Sequence, residues 1–163
     1  MAAVTLLATA CAAAPAPAPT PTPTGFASEE EAAAAATDLY HSYADELNRR
    51  LNGDKSADPL QYLAGDALES DREAIEVAES RGLLVKGESA VARFAVVEVA
   101  LLEGSAHVAA TVCIDSSGTQ VIDESGTAQP KSGPDEAGYE VTFATVDREL
   151  RITHNVLAPE MPC

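Results

Sequence analysis

The spacing of the apolar residues changes once along the chain, at Gly82, and this change limits the folds that the sequence can adopt. Before Gly82, apolar residues recur every three or four positions, which is typical of amphipathic helices. After it, runs of β-branched residues are separated by clusters of Gly, Ser, Asp and Pro, which is typical of strands and turns. Helices followed by consecutive strands predict an α+β domain in which the helices pack on an antiparallel sheet.

The first predicted helix has clear signals at both ends. Ser28 and Glu31 form a capping box, so the helix is expected to begin at Ser28, and Gly53 is expected to end it. Its apolar stripe includes Tyr40 and Tyr43, which are most simply explained as core residues.

The second helix and the strands follow from the same local signals. The segment Ser70-Asp71-Arg72-Glu73 repeats the capping pattern, so a helix is expected to begin there and to end at Gly82. The later runs predict six strands, over residues 83–85, 91–102, 106–114, 119–123, 139–146 and 150–157. Together these elements make up one predicted α+β domain, residues 28–163.

The first 27 residues have a composition that does not form a core. Residues 1–10 are small or apolar and lead into Cys11, which is typical of the end of a signal peptide and is too short to span a bilayer. Residues 11–27 alternate Pro with Ala and Thr over most of their length, which favours an extended spacer. A disordered Ala-rich tail with an incidental cysteine is the alternative.

The segment around Cys11 resembles a bacterial lipoprotein signal, in which the cysteine is diacylated and becomes the first residue of the mature chain. This resemblance implies a lipid anchor on Cys11 and a location at the extracytoplasmic face of the cell membrane. Residues 1–10 would then be the remnant of a signal peptide. Because a basic segment is missing before them, we expect the true start codon to lie upstream.

The three cysteines have different expected uses. Three thiols in an exported chain leave one over after any pairing, and Cys11 already has a use as the lipid anchor. Cys113 and Cys163 are therefore expected to form a disulfide that fastens the C-terminal tail to the sheet in an oxidising compartment. A free, buried Cys113 is the alternative.

The charge of the chain excludes one class of partner. Twenty-six acidic and ten basic residues give a formal net charge of −16. Nucleic acids and anionic lipid surfaces attract clustered Lys and Arg, so a nucleic-acid partner is not expected. The acidity suits a basic protein partner in the cell envelope, and solubility there is the alternative reason for it.

A set of short motifs is spread over the whole chain. They are Asp58-Pro59-Leu60, Tyr62-Leu63-Ala64-Gly65-Asp66-Ala67-Leu68, Gly82, Cys113-Ile114-Asp115-Ser116-Ser117 and the terminal Cys163. With the lipoprotein-like cysteine and its spacer, they resemble an actinobacterial group of exported lipoproteins with a nuclear transport factor 2-like, or SnoaL-like, domain. The resemblance implies a cone, in which N-terminal helices pack on a strongly curved antiparallel sheet.

Cone-shaped domains of this kind include isomerases, dehydratases and epoxide hydrolases, so an enzyme has to be weighed against a binding module. Catalysis there would need a base and a tyrosine or acid donor inside an apolar pocket. Tyr40 or Tyr43 could be the donor. The candidate bases are Asp38, His41, His107, Asp115 and His154. No pattern in the sequence singles out one of them.

The sequence contains no pattern that predicts a metal or cofactor. Asp115, Asp123 and Glu124 are acidic but lack the spacing of a calcium loop, and no phosphate-binding glycine loop or nucleophile elbow is present. We therefore expect a membrane-tethered, non-catalytic binding or accessory module of the cell envelope. It would bind an envelope protein or a small apolar ligand, with a possible pocket formed by Tyr40, Tyr43 and His107. A small pocket enzyme of the isomerase or hydrolase type is the alternative.

Overall fold

The computed structural model describes residues 25–131 and 133–163. The expected signal peptide remnant, Cys11 and most of the spacer lie outside the described residues. Within the described part, two α-helices and a short 3-10 helix precede six strands. The chain is therefore an α+β protein with helices packed on antiparallel sheets, and the fold class predicted from the change at Gly82 is confirmed at this level.

Helix α1 spans Glu29–Leu51, and its start is the predicted one. The Ser28 hydroxyl accepts a hydrogen bond of 3.2 Å from the Glu31 amide, while the Glu31 carboxylate accepts one of 2.6 Å from the Ala27 amide. At the other end, Gly53 has a φ of +100°, which reverses the chain after the last turn. Local sequence signals thus fix both ends of this helix.

Helix α2 spans Gly65–Ser80 and begins earlier than its sequence predicts. Ser70 lies inside the helix, so the expected cap at Ser70 is wrong. The residue before the helix, Ala64, caps it with no side-chain hydrogen bond, and its amide donates instead to the Ile152 carbonyl, at 2.8 Å. A contact with a distant strand fixes this start, and Gly82, with a φ of +62°, ends the helix as predicted.

The strands form two antiparallel sheets. Their bounds are β1 Leu84–Lys86, β2 Ala90–Leu102, β3 Ser105–Asp115, β4 Gln120–Ile122, β5 Glu136–Val146 and β6 Glu149–Leu157. The main sheet has the order β2-β3-β5-β6, and β1 pairs with β4 separately. All six predicted runs are strands. Asp147 and Arg148 both have positive φ and form a tight hairpin turn between β5 and β6.

The core lies between the helices and one face of the main sheet. Tyr40 and Tyr43 are only 2% and 4% exposed, and Phe143 is fully buried. The ring centroid of Tyr40 lies 5.8 Å from that of Phe94 and 6.4 Å from that of Phe143. Phe26, just before α1, also packs against this core.

The disulfide fastens the C-terminal tail, residues 158–163, to the main sheet. Cys113 and Cys163 are bonded, with Cα atoms 5.6 Å apart, which confirms the predicted pairing. Side chains alternate along β3, so Cys113 lies on the opposite face from its buried neighbour Val112. The Arg93 guanidinium donates a hydrogen bond of 2.7 Å to the Pro162 carbonyl and adds a second link to the tail.

In the part of the chain that the structure describes, no helix is long and apolar enough to cross a bilayer.

Candidate functional site

A cavity of about 540 Å³ lies between the two long helices and the main sheet. Side chains from α1, α2, β3, β5 and β6 form its wall, which combines an apolar part and a polar cluster. The apolar part includes Leu47, Leu51, Ile114, Val156 and Leu157. The polar cluster consists of Tyr40, Tyr43, Asp71, Tyr139 and Asn155. An apolar wall with a few grouped polar atoms is typical of a site for a small molecule.

The polar cluster is centred on the Tyr43 hydroxyl. This hydroxyl donates a hydrogen bond of 2.5 Å to Asp71 Oδ2 and thereby links α1 to α2. Asp71 lies one helical turn from Ala67 and one from Ile75, both buried, so the helix directs its carboxylate towards α1. Burial raises the pKa of Asp71, and the bond from Tyr43 opposes that effect less strongly. Among the described residues, Asp71 forms no ion pair.

Asn155 completes the cluster and leaves one acceptor unused. Its amide nitrogen Nδ2 donates a hydrogen bond of 3.5 Å to the Tyr43 hydroxyl. Its carbonyl oxygen Oδ1 is buried and has no hydrogen-bond partner among the described residues. An unsatisfied buried acceptor costs about 1–3 kcal/mol, so Asn155 Oδ1 is an energetically costly feature of this wall.

A bulge in β6 determines which side chain faces the cavity. Ile152 and His154 pair with two consecutive residues of β5, so Thr153 is an extra residue in the strand. Strict alternation from the buried Ile152 would turn His154 towards the core. Because of the bulge, His154 is exposed and Asn155 faces the cavity instead.

The phenol groups of the cavity are all protonated at neutral pH. Burial is the largest cause that raises the pKa of Tyr40, and nearby Tyr139 and Asp71 raise it further. The pKa of Tyr43 is also raised well above its usual value, first by burial and then by the Asp71 charge. Burial raises the pKa of Tyr139 in the same way. These hydroxyl groups therefore act as neutral hydrogen-bonding groups.

The structure brings together two of the three residues expected in the pocket. Tyr40 and Tyr43 line the cavity. His107 does not, because its neighbours on β3, Ala106 and Val108, face the core and His107 is exposed on the other face. The expectation that His107 belongs to the pocket is therefore wrong.

None of the candidate bases named from the sequence lines the cavity. Asp38, His41 and His154 are exposed, while the Asp115 carboxylate accepts a hydrogen bond of 2.8 Å from the Ser117 amide in a surface turn. That bond is the largest cause that lowers the pKa of Asp115. Within residues 25–131 and 133–163, no group of three metal-ligating side chains comes together. Cavity chemistry thus depends on other residues.

Asp71, Tyr139 and Asn155 are the residues of the polar cluster that sequence reasoning missed. A signal for Asp71 was present, since it occupies the middle of a buried stripe in which Ala67 and Ile75 are four positions away. A charged residue in such a stripe is unusual and points to a specific partner. No comparable signal exists for Asn155, because its direction depends on the bulge at Thr153.

Comparison with solved structures finds a similar fold. The chain is similar to the intermembrane space region of the chloroplast protein ARC6, with a TM-score of 0.57 and 13% sequence identity, over 78% of this chain and 97% of that chain. At this level of identity the likeness concerns the fold alone. No family model matches the chain, and no curated protein matches its sequence. Function therefore has to be argued from the cavity.

Proposed function

We propose that this chain is a non-catalytic binding module that takes a small ligand into the cavity between its helices and its main sheet. The observation that carries the proposal is the buried Asn155 Oδ1, which lacks a partner and belongs to a side chain in the cavity wall. A protein that keeps such an atom unsatisfied gains binding free energy when a ligand donor reaches it. The neighbouring apolar wall would hold the rest of the ligand.

The proposal includes a cone-shaped, nuclear transport factor 2-like arrangement. Its support is the placement of α1 and α2 over one face of a four-stranded antiparallel sheet. Register shifts in β2 and β6 add support, because bulges bend a strand and curve its sheet. A curved sheet under two helices leaves room for a cavity.

The proposal also places the module at the extracytoplasmic face of the cell membrane, held by a lipid on Cys11. The sequence pattern around Cys11 and the Pro-rich spacer support this location. The bond between Cys113 and Cys163 fits it as well, since disulfides persist in oxidising compartments. A spacer of this kind would hold the cavity away from the bilayer surface.

A pocket enzyme of the isomerase or hydrolase type is the second candidate. It is favoured by one observation, namely a phenol and a carboxylate of raised pKa beside an apolar wall. Asp71 would be the base and a tyrosine the donor. The binding role is preferred because the Tyr43 hydroxyl already donates its proton to Asp71, so that proton is not available to a substrate.

Native mass spectrometry of the full chain, isolated from membranes of an actinobacterial host, tests the proposal. A noncovalent ligand adds mass that disappears on denaturation, whereas an acyl group on Cys11 adds mass that remains. Ala44 lines the cavity, so Ala44→Phe is expected to fill it and to remove the noncovalent mass. Ala34 is exposed on the same helix, and Ala34→Phe is the matched control that keeps the ligand.

Two results would contradict the proposal. The first is a bare polypeptide mass for the unaltered chain, apart from any acyl group. The second is equal retention of ligand by the Ala44→Phe and Ala34→Phe variants, since filling the cavity would not displace a ligand that binds elsewhere. Circular dichroism of both variants shows whether they are folded.

A further inference from the structure

We infer that the cavity selects an organic cation, namely a protonated amine with an apolar substituent. This inference rests on the proposed function, that the cavity takes a small ligand, and it adds the chemical class of that ligand. It depends on three features of the wall, which are its unused acceptors, its lack of basic side chains and its tyrosines.

The polar end of the cavity carries one carboxylate charge and one unused acceptor. Asn155 Oδ1 is buried without a partner, and the Asp71 carboxylate forms no ion pair among the described residues. The Tyr43 hydroxyl has already committed its proton to Asp71. An ammonium group has up to three donors and no acceptor, so it complements this set.

Basic side chains are absent from the described cavity wall, which contains no Lys, Arg or His. Lys131 is near, because its ammonium group donates to the carbonyl of the wall residue Ser116. The same ammonium group also lies 2.7 Å from the Asp135 carboxylate, which neutralises its charge. An anionic ligand would therefore lose its hydration without gaining a counter-charge.

Three tyrosines contribute rings to the wall: Tyr40, Tyr43 and Tyr139. Phenol rings attract a nearby ammonium group through their negative faces, and this attraction is strongest where water is excluded. Tyr40 and Tyr43 are almost fully buried by the protein, whereas Tyr139 is only partly buried, so the Tyr139 ring has the most surface to offer an ammonium group. Leu47, Ile114 and the rest of the apolar wall would then hold the substituent of the amine.

Three probes of equal chain length separate charge from apolar contact: octylammonium, 1-octanol and octanoate. Isothermal titration calorimetry of the purified full chain at pH 7 measures the affinity of each. We expect octylammonium to bind at least about tenfold more tightly than 1-octanol, the effect of a charge-assisted hydrogen bond, and octanoate to bind most weakly.

Two variants assign the preference to Asp71. Asp71→Asn keeps an acceptor for Tyr43 but removes the negative charge, so the preference for octylammonium over 1-octanol is expected to disappear. Glu73→Gln removes the same charge from an exposed position of α2 and is expected to leave the preference unchanged. The three-probe comparison on the unaltered chain requires no variant, so it decides the inference even if Asp71→Asn is unstable.

The outcomes distinguish this inference from the proposed function. If 1-octanol binds as tightly as octylammonium, or if octanoate binds most tightly, the inference of a cation is wrong and the cavity remains a binding site. If none of the three probes binds and the isolated chain carries no noncovalent mass, the proposed function fails together with the inference.

Discussion

The hydroxyl of Tyr43 on α1 donates a hydrogen bond of 2.5 Å to Asp71 Oδ2 on α2. The two residues are 28 positions apart in sequence, so the bond depends on how the helices pack. It joins the two long helices at the cavity. It also gives the partly buried Asp71 carboxylate a hydrogen-bond donor, the Tyr43 hydroxyl. Both the stability of the helix layer and the chemistry of the cavity therefore depend on this pair.

Tyr43→Phe is expected to lower the free energy of unfolding by about 1–3 kcal/mol, because the Asp71 carboxylate would lose its donor while staying partly buried. Urea denaturation followed by circular dichroism measures the change. The matched control is Tyr62→Phe, since Tyr62 is a partly buried tyrosine outside the cavity wall. Equal losses in the two variants would mean that the Asp71 contact contributes nothing specific.

Asp71→Asn is expected to change how stability depends on pH. The pKa of Asp71 is raised above 3.8 in the folded state. At pH values between 3.8 and this raised pKa, the folded state therefore binds more protons than the unfolded state. Stability contributed by this group therefore falls as pH rises through that window and stays reduced above it. The stability of Asp71→Asn relative to the unaltered chain should increase from pH 3.5 to pH 7.

Unfolding measured across that pH range checks this sign. Glu73→Gln, at an exposed position of the same helix, serves as the control, and we expect its stability relative to the unaltered chain to vary little. A relative stability of Asp71→Asn that decreases over the same range would show that hydrogen bonding, not burial, dominates at Asp71.

Removal of the disulfide is expected to cost a large part of the net stability. The bond between Cys113 and Cys163 closes a loop with a sequence separation of 50, for which chain entropy gives roughly 4 kcal/mol. The double variant Cys113→Ala, Cys163→Ala should therefore unfold at much lower urea concentration than the oxidised chain. Reductant should destabilise the unaltered chain and leave the double variant unaffected. Alkylation of both thiols without reduction would contradict the bond itself.

Cys11→Ser tests the lipid anchor, which depends on residues outside the described part of the chain. We expect the unaltered chain to fractionate with membranes and to carry a covalent acyl mass, and the variant to lose both. The Cys113→Ala, Cys163→Ala variant is the control, because it retains Cys11 and should remain in the membrane fraction. Membrane association of Cys11→Ser without acyl mass would contradict the lipoprotein interpretation.

Most of the fold follows from local signals, whereas only Tyr40 and Tyr43 of the five residues in the polar cluster were expected there. The capping box at Ser28, the glycine at Gly82 and the β-branched runs are short-range features, so they predict the helices and all six strands. The start of α2 escaped prediction because the Ala64 amide bonds to the Ile152 carbonyl, a partner that only the tertiary fold supplies. The capping pattern at Ser70 does not start the helix, because the contact of Ala64 with β6 starts it earlier.

The residues expected in the cavity divide in the same way, into those that a local pattern predicts and those whose position depends on the tertiary fold. Tyr40 and Tyr43 were found because an apolar stripe on one helix is visible in sequence. His107 was misplaced because the polar positions of β3 face away from the helices, a consequence of which side of the sheet the helices cover. Asn155 could not be found, since the bulge at Thr153 depends on pairing with β5.

The bulge in β6 also makes the chemistry of the cavity a matter of strand register. His154 and Asn155 are adjacent, and the extra residue Thr153 decides which of them points inwards. If β6 lacked the extra residue, the His154 imidazole would take the place of the Asn155 amide beside Tyr43 and Asp71. A ring with two nitrogen atoms would then adjoin a phenol and a carboxylate. One step of backbone pairing thus decides which functional group the cavity presents beside Tyr43 and Asp71.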